Sequence, residues 1–96
     1  MKLIGVGLGF YINAKYIEQI RDNEGWIEIK MRKDIITLDF GEFCDPDDDP
    51  IEVSRLFLVA LLKAMVRNKN IIHLSDIEEI AGREFGNFTI EDKPRD

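Results

Sequence analysis

The run Leu56-Phe57-Leu58-Val59-Ala60-Leu61-Leu62-Lys63-Ala64-Met65-Val66 constrains this chain more than any other stretch. It follows Asp49-Pro50-Ile51-Glu52, which has the chemistry of a helix start. Asp49 is placed to cap orphan N–H groups, Pro50 suits the first helical position, and Glu52 stands where a capping box wants its acid. The spacing predicts a helix over 51–68 that is apolar on nearly every side. Its charges, Glu52, Arg55, Lys63 and Arg67, fall on one narrow stripe. A surface helix needs a single apolar stripe, whereas one that is greasy all round must be covered on most sides. At 1.5 Å per residue this is a rod about 27 Å long, and a chain of 96 residues has little else to cover it. Either the helix is the central pillar of the fold, or a second molecule completes its burial. On the second reading the expected self-association residues are Leu58, Leu61, Leu62 and Met65.

A chain of this length makes one domain and buries roughly 60–65% of the surface its unfolded form exposes. With 45% hydrophobic and 33% charged residues it belongs with globular rather than disordered sequences. The expected extent is a single domain over 1–90 with a flexible tail over 91–96. Met1-Lys2 leads into a short apolar run broken by Gly5, Gly7 and Gly9, without a small-residue cleavage site, so a cytoplasmic protein is expected. The apolar run 56–66 is about half of a bilayer span and Lys63 interrupts it, which argues against a membrane protein. The formal charge of −6 disfavours direct nucleic-acid binding, since phosphate contacts need clustered Lys and Arg.

The charge is unevenly spread. Asp34, Asp39, Glu42, Asp45, Asp47, Asp48, Asp49 and Glu52 follow one another with no intervening base, whereas residues 55–73 carry Arg55, Lys63, Arg67 and Lys69 with no acid. An acidic loop therefore lies beside a helix with a basic end. Asp45, Asp47 and Asp48 are the expected electrostatic contacts for a basic protein partner.

The strands announce themselves by alternation. Leu3 to Ile12 places Ile4, Val6, Leu8, Phe10 and Ile12 on one face and three glycines on the other, predicting a strand over about 3–12. A face without side chains invites close approach, by the long helix or by a ligand or partner strand. The glycine spacing is not that of the dinucleotide fingerprint. Residues 26–32 and 35–41 alternate similarly and read as a hairpin, with 88–91 as an added edge strand. Asn13 suits the cap of a short helix bearing Tyr16, Ile17 and Ile20 on one face; a single helical turn running on into a strand competes with it. Ser75 with Glu78 gives a second capping box, for a helix over 75–85 stopped by Gly86. The fold class is α+β: an antiparallel sheet of three to four strands packed against the long helix and flanked by the shorter one.

Catalytic and metal constellations are weakly represented. Asp45, Asp47 and Asp49 alternate like a calcium loop, but Pro50 and Leu56 stand where that loop needs Gly and Glu, so no metal is expected. His73, the sole histidine, lies between Ile72 and Leu74 and reads as a half-buried connector; its alternative is an acid–base group working with a carboxylate. Cys44 precedes acids that would raise a thiol pKa, which opposes nucleophilic use, and only folding could bring it to His73. Trp26 at a strand start closes a core or anchors an interface.

The segment Phe10-Tyr11-Ile12-Asn13-Ala14-Lys15-Tyr16-Ile17-Glu18-Gln19-Ile20, with Trp26-Ile27-Glu28-Ile29 and Ile35-Ile36-Thr37-Leu38 after it, resembles the small FlbD-like flagellar-operon proteins. Those proteins share an Asn-Ala-x-x-Ile-x-x-Ile step between short strands. The resemblance implies a β-rich N-terminal half and carries no catalytic or binding signature. The functional expectation is a non-enzymatic, acidic protein-binding module without cofactor: a regulator, inhibitor or adaptor that self-associates through 51–68 as a homo-oligomer. The alternatives are an acidic nucleic-acid mimic that inhibits a DNA- or RNA-binding protein, and a small enzyme using His73.

Overall fold

The period-two pattern at the start of the chain forms two strands rather than one. The computed structural model describes residues 1–7, 9–41 and 45–95; Leu8, assigned by sequence to the first strand, and Cys44 lie outside the described residues. β1 (Leu3–Gly7) and β2 (Phe10–Asn13) form an antiparallel hairpin with Ile4 opposite Ile12. The chain reverses at Gly9, whose φ of 75° suits a residue without a Cβ. Because Ile4 and Ile12 pair across the hairpin, both still face the core, and a single strand and a hairpin leave the same alternation in the sequence. β1 also pairs in parallel with a short later strand, β6 (Ile71–Ile72), giving a three-stranded sheet in the order β2-β1-β6.

The competing reading of residues 13–22 holds. Asn13 accepts a hydrogen bond from the Lys15 N–H (3.0 Å) and caps a single 3-10 turn over Ala14–Tyr16, which runs into β3 (Ile17–Asp22). Ile17 faces Met31 and Ile20 faces Ile29 across an irregularity between Ile17 and Gln19. That bulge inserts one residue and brings two apolar side chains three apart onto one face, which in sequence resembles a helical period. β3 pairs with β4 (Trp26–Met31), β4 with β5 (Asp34–Asp39), and β5 with β7 (Thr89–Pro94), all antiparallel. This is a second, four-stranded sheet.

Residues 91–95 of the expected flexible tail are structured. Glu91, Asp92, Lys93 and Pro94 pair with Thr37, Ile36, Ile35 and Asp34. Arg95 then donates to Glu18 (2.6 Å) and to the Met31 carbonyl (2.8 Å), clasping the residues after β7 to β3 and β4. Its guanidinium holds the Glu18 carboxyl below the usual carboxylate range.

α1 spans Pro50–Met65, with Asp49 accepting from the Ile51 N–H (3.0 Å). Its C-terminal end is covered by Lys2, whose ammonium donates to the carbonyls of Met65 (2.7 Å) and Arg67 (2.6 Å). α2 spans Leu74–Ala81, one residue earlier at its start than expected and four earlier at its end. His73 rather than Ser75 is its N-cap, with Asp76 accepting the His73 N–H (2.8 Å). Glu78 accepts the N–H of Phe85 instead (3.0 Å). The helix stops at Gly82, which has φ 75°. Leaving the helix there lets Phe85 turn inward, where it meets Phe57 at 4.9 Å between ring centres. Phe40 and Phe88 complete this cluster, each within 5.6 Å of Phe57.

The core is formed by Ile4, Val6, Ile27, Ile29, Leu38, Phe57, Leu61, Ile72 and Ile77, all without solvent exposure, and their neighbours. α1 packs against α2 on one flank and against β3 and β4 on the other. Ser54 is buried in that second contact, accepting from the Gly25 N–H (3.1 Å) and donating to the Ile51 carbonyl (3.0 Å). Among the described residues no helix is long and apolar enough to cross a membrane.

Candidate docking surface

The four-stranded sheet and one short helix pack against α1, and about two-thirds of its circumference is buried or half-buried. Val53, Ser54, Phe57, Ala60, Leu61 and Ala64 are buried, and Ile51, Leu58 and Met65 are half-buried along the edges of the contact. At about 100° per residue, the exposed Glu52, Arg55, Leu56, Val59, Leu62, Lys63 and Val66 share an arc of about 120°. Leu56 is 43% exposed, Val59 49%, Leu62 47% and Val66 84%, half of the exposed large apolar side chains among the described residues. Burying the remaining surface of Leu56, Val59 and Leu62 would contribute on the order of 1 kcal/mol each.

The self-association residues expected from sequence therefore need correction. Leu61 is fully enclosed within this subunit and is unavailable to a second one. Leu58 and Met65 pack against the core from its margin, and only Leu62 stands on the exposed arc. Leu56, Val59 and Val66 belong there in place of the other three. The charged stripe was the available signal, since Glu52, Arg55 and Lys63 mark the solvent direction and these three share it.

Charge is graded along this face. At the N-terminal end of α1, Asp45, Asp47, Asp49 and Glu52 are exposed. Toward the other end lie Lys63 and Arg67, which form no ion pair among the described residues, while Lys69 is bound to Asp76 (3.3 Å). Arg55, midway, meets Asp22 at 3.5 Å. Of the expected acidic contacts, Asp45 and Asp47 face solvent, but Asp48 is held by Arg83 in a two-pronged pair (3.1 and 3.4 Å). That pair borders an open cleft of about 380 Å³ beside Phe40 and Phe85. The acid and base there answer each other across the junction of the 45–49 loop and the segment after α2.

His73 is exposed rather than half-buried. Its Nδ1 lies 2.6 Å from the Tyr11 hydroxyl, and the two rings meet edge to face. The neighbouring carboxylate, Asp76, engages the backbone N–H of His73, and that bond, with the Lys69 pair, holds its pKa below the usual range. The carboxylate closest in sequence is therefore occupied with helix capping. Trp26 is half-buried at the head of β4.

The glycine face of β1 meets neither the long helix nor a vacant groove. A Cβ at Gly5 would lie 3.0 Å from the Tyr11 ring and 3.3 Å from the Leu74 nitrogen, and one at Gly7 would collide with the end of Ile90. The start of α2 and β7 supply the close approach that the glycines permit. No family model, curated protein or solved structure matches this chain, so the FlbD-like resemblance of residues 10–38 carries no family assignment.

Proposed function

We propose that this chain is a non-enzymatic, cytoplasmic protein-binding module that works as a regulator, inhibitor or adaptor through the solvent face of α1. The observation that carries this reading is the gathering of Leu56, Val59, Leu62 and Val66 on one arc of a helix whose other sides are buried. Single exposed apolar residues are ordinary, but a contiguous row rimmed by charges has the character of an interaction surface. Asp45 and Asp47, exposed beside the start of the helix, add an acidic rim that favours approach of a basic surface.

The test is retention of proteins from the native cell by the wild-type chain and by a Val59→Asp, Leu62→Asp variant. Circular dichroism should be unchanged, because both positions face water. Partners held by the wild type and released by the variant are expected. Identical retention by both would remove α1 as the docking face.

A further inference from the structure

We infer that the occupant of the α1 face is a second copy of this chain, docked antiparallel across a two-fold axis. This rests on the reading of α1 as a docking face and goes further by fixing the partner and its orientation. The argument comes from the order of apolar and charged groups along the helix. Exposed acids, Asp49 and Glu52, stand at its beginning, Arg55 between is held by Asp22 (3.5 Å), and Lys63 and Arg67, which form no ion pair among the described residues, stand toward its end. Such a gradient is self-complementary only when the second helix runs the opposite way.

With the axis near residue 61, Leu56 of one copy faces Val66 of the other, and Val59 and Leu62 lie beside the axis. Glu52 is then about 13 Å from the axis, and Arg67 of the second copy, two residues past the end of α1 at Met65, lies on the same side and nearer to it. The difference is within reach of two long side chains. Lys63, close to the axis, has a stem long enough to carry its ammonium outward to solvent. Antiparallel helices also place opposite dipole ends together. A parallel pair would set Glu52 against Glu52, Lys63 against Lys63 and Arg67 against Arg67. The antiparallel pair about a two-fold axis is an isologous contact, the usual form of small homodimers. A contact about 15 Å long is at the small end of specific interfaces, so the pair should separate on dilution.

Cysteine cross-linking at micromolar concentration tests the geometry, with Cys44→Ser removing the natural thiol. In the antiparallel pair two copies of Leu56 are about 15 Å apart, beyond the reach of a disulfide, which needs Cα atoms within about 7 Å. Leu56→Cys and Val66→Cys chains should therefore each fail to cross-link alone and should cross-link when mixed. Glu52→Lys should weaken dimerisation on the order of two- to thirtyfold, two symmetry-related exposed pairs acting together. Adding Arg67→Glu to Glu52→Lys should restore it. Cross-linking of each chain with itself would show a parallel pair and overturn the proposal. No cross-linking in any mixture, with Val59-dependent capture of another protein intact, would overturn the second copy as occupant and leave the docking face standing. No cross-linking and no such capture would overturn both.

Discussion

Leu61 and Leu62 are consecutive, chemically identical and on opposite sides of the boundary between core and solvent, so truncating each to alanine separates folding from association. Leu61 has no exposure. Its loss removes buried transfer energy and leaves a cavity among the side chains of α1, α2 and the sheets, for a cost of about 3–4 kcal/mol. Leu62 is 47% exposed, so truncation forfeits only part of the transfer term and leaves no enclosed void. The higher helix propensity of alanine offsets a little of that, and the net cost in a dilute subunit is on the order of 0.5–1 kcal/mol. With a urea dependence of about 1.5 kcal/mol per molar for a small domain, the midpoint should fall by about 2–2.7 M for Leu61→Ala and by about 0.3–0.7 M for Leu62→Ala. Repeating the titration at tenfold higher protein concentration adds the second readout. Wild type and Leu61→Ala should gain stability with concentration, as any chain does when its folded form binds a partner, and Leu62→Ala should gain less. Equal midpoint losses for the two variants in dilute solution would refute the assignment of the two faces.

Three further outcomes follow from the rest of the fold. The Asp34 carboxyl hydrogen-bonded to Asp92 pushes the Asp92 pKa up; a carboxyl raised in the folded state contributes stability that is present below its unfolded pKa and is lost as pH rises from there through its folded pKa. Asp92→Asn should therefore raise the melting temperature at neutral pH and leave it unchanged near pH 2, below the carboxylate range, as scanning calorimetry would show. Asp76→Ala removes the acceptor for the His73 N–H and should cost about 0.5–2 kcal/mol at neutral pH. Because the Asp76 pKa is depressed, that loss should shrink as pH falls below about 3.9, the unfolded value, and a loss that persisted in acid would contradict the capping role. A chain ending at Ile90 strips most of β7 from β5 and exposes a strand edge; aggregation or lost cooperativity in thermal unfolding is expected, whereas unaltered melting would contradict the pairing of residues 91–94.

The α+β class was legible because its signals are local. Asp49 and Pro50 fix the start of α1, and the alternation of 26–31 and 34–39 fixes the central hairpin. Three features of the strands were hidden for physical reasons. A β-bulge between Ile17 and Gln19 counterfeits a helical period. The reversal at Gly9 preserves the parity of the apolar residues, so a hairpin and a single strand read alike. The charged segment 91–95 looks like a tail until Asp34–Asp39 offers it an edge and Glu18 an ion pair for Arg95. On α1, helical periodicity cannot say which apolar side faces the sheets when every side is apolar. The charged residues do say it, because Glu52, Arg55 and Lys63 point to water and take Leu56, Val59 and Leu62 with them. The aromatic cluster was out of reach, since it forms only after Gly82 ends α2 and frees Phe85 to turn inward.

The exposed arc of α1 as a joining surface between two copies is tested most directly by sedimentation equilibrium of the wild type and of Val59→Asp over a micromolar concentration series. The wild type should pass from its 11.1 kDa chain mass toward twice that value as concentration rises, and Val59→Asp should stay at the single-chain mass. A wild-type chain that remains at 11.1 kDa throughout, or a Val59→Asp variant that associates as well as the wild type, would contradict the account.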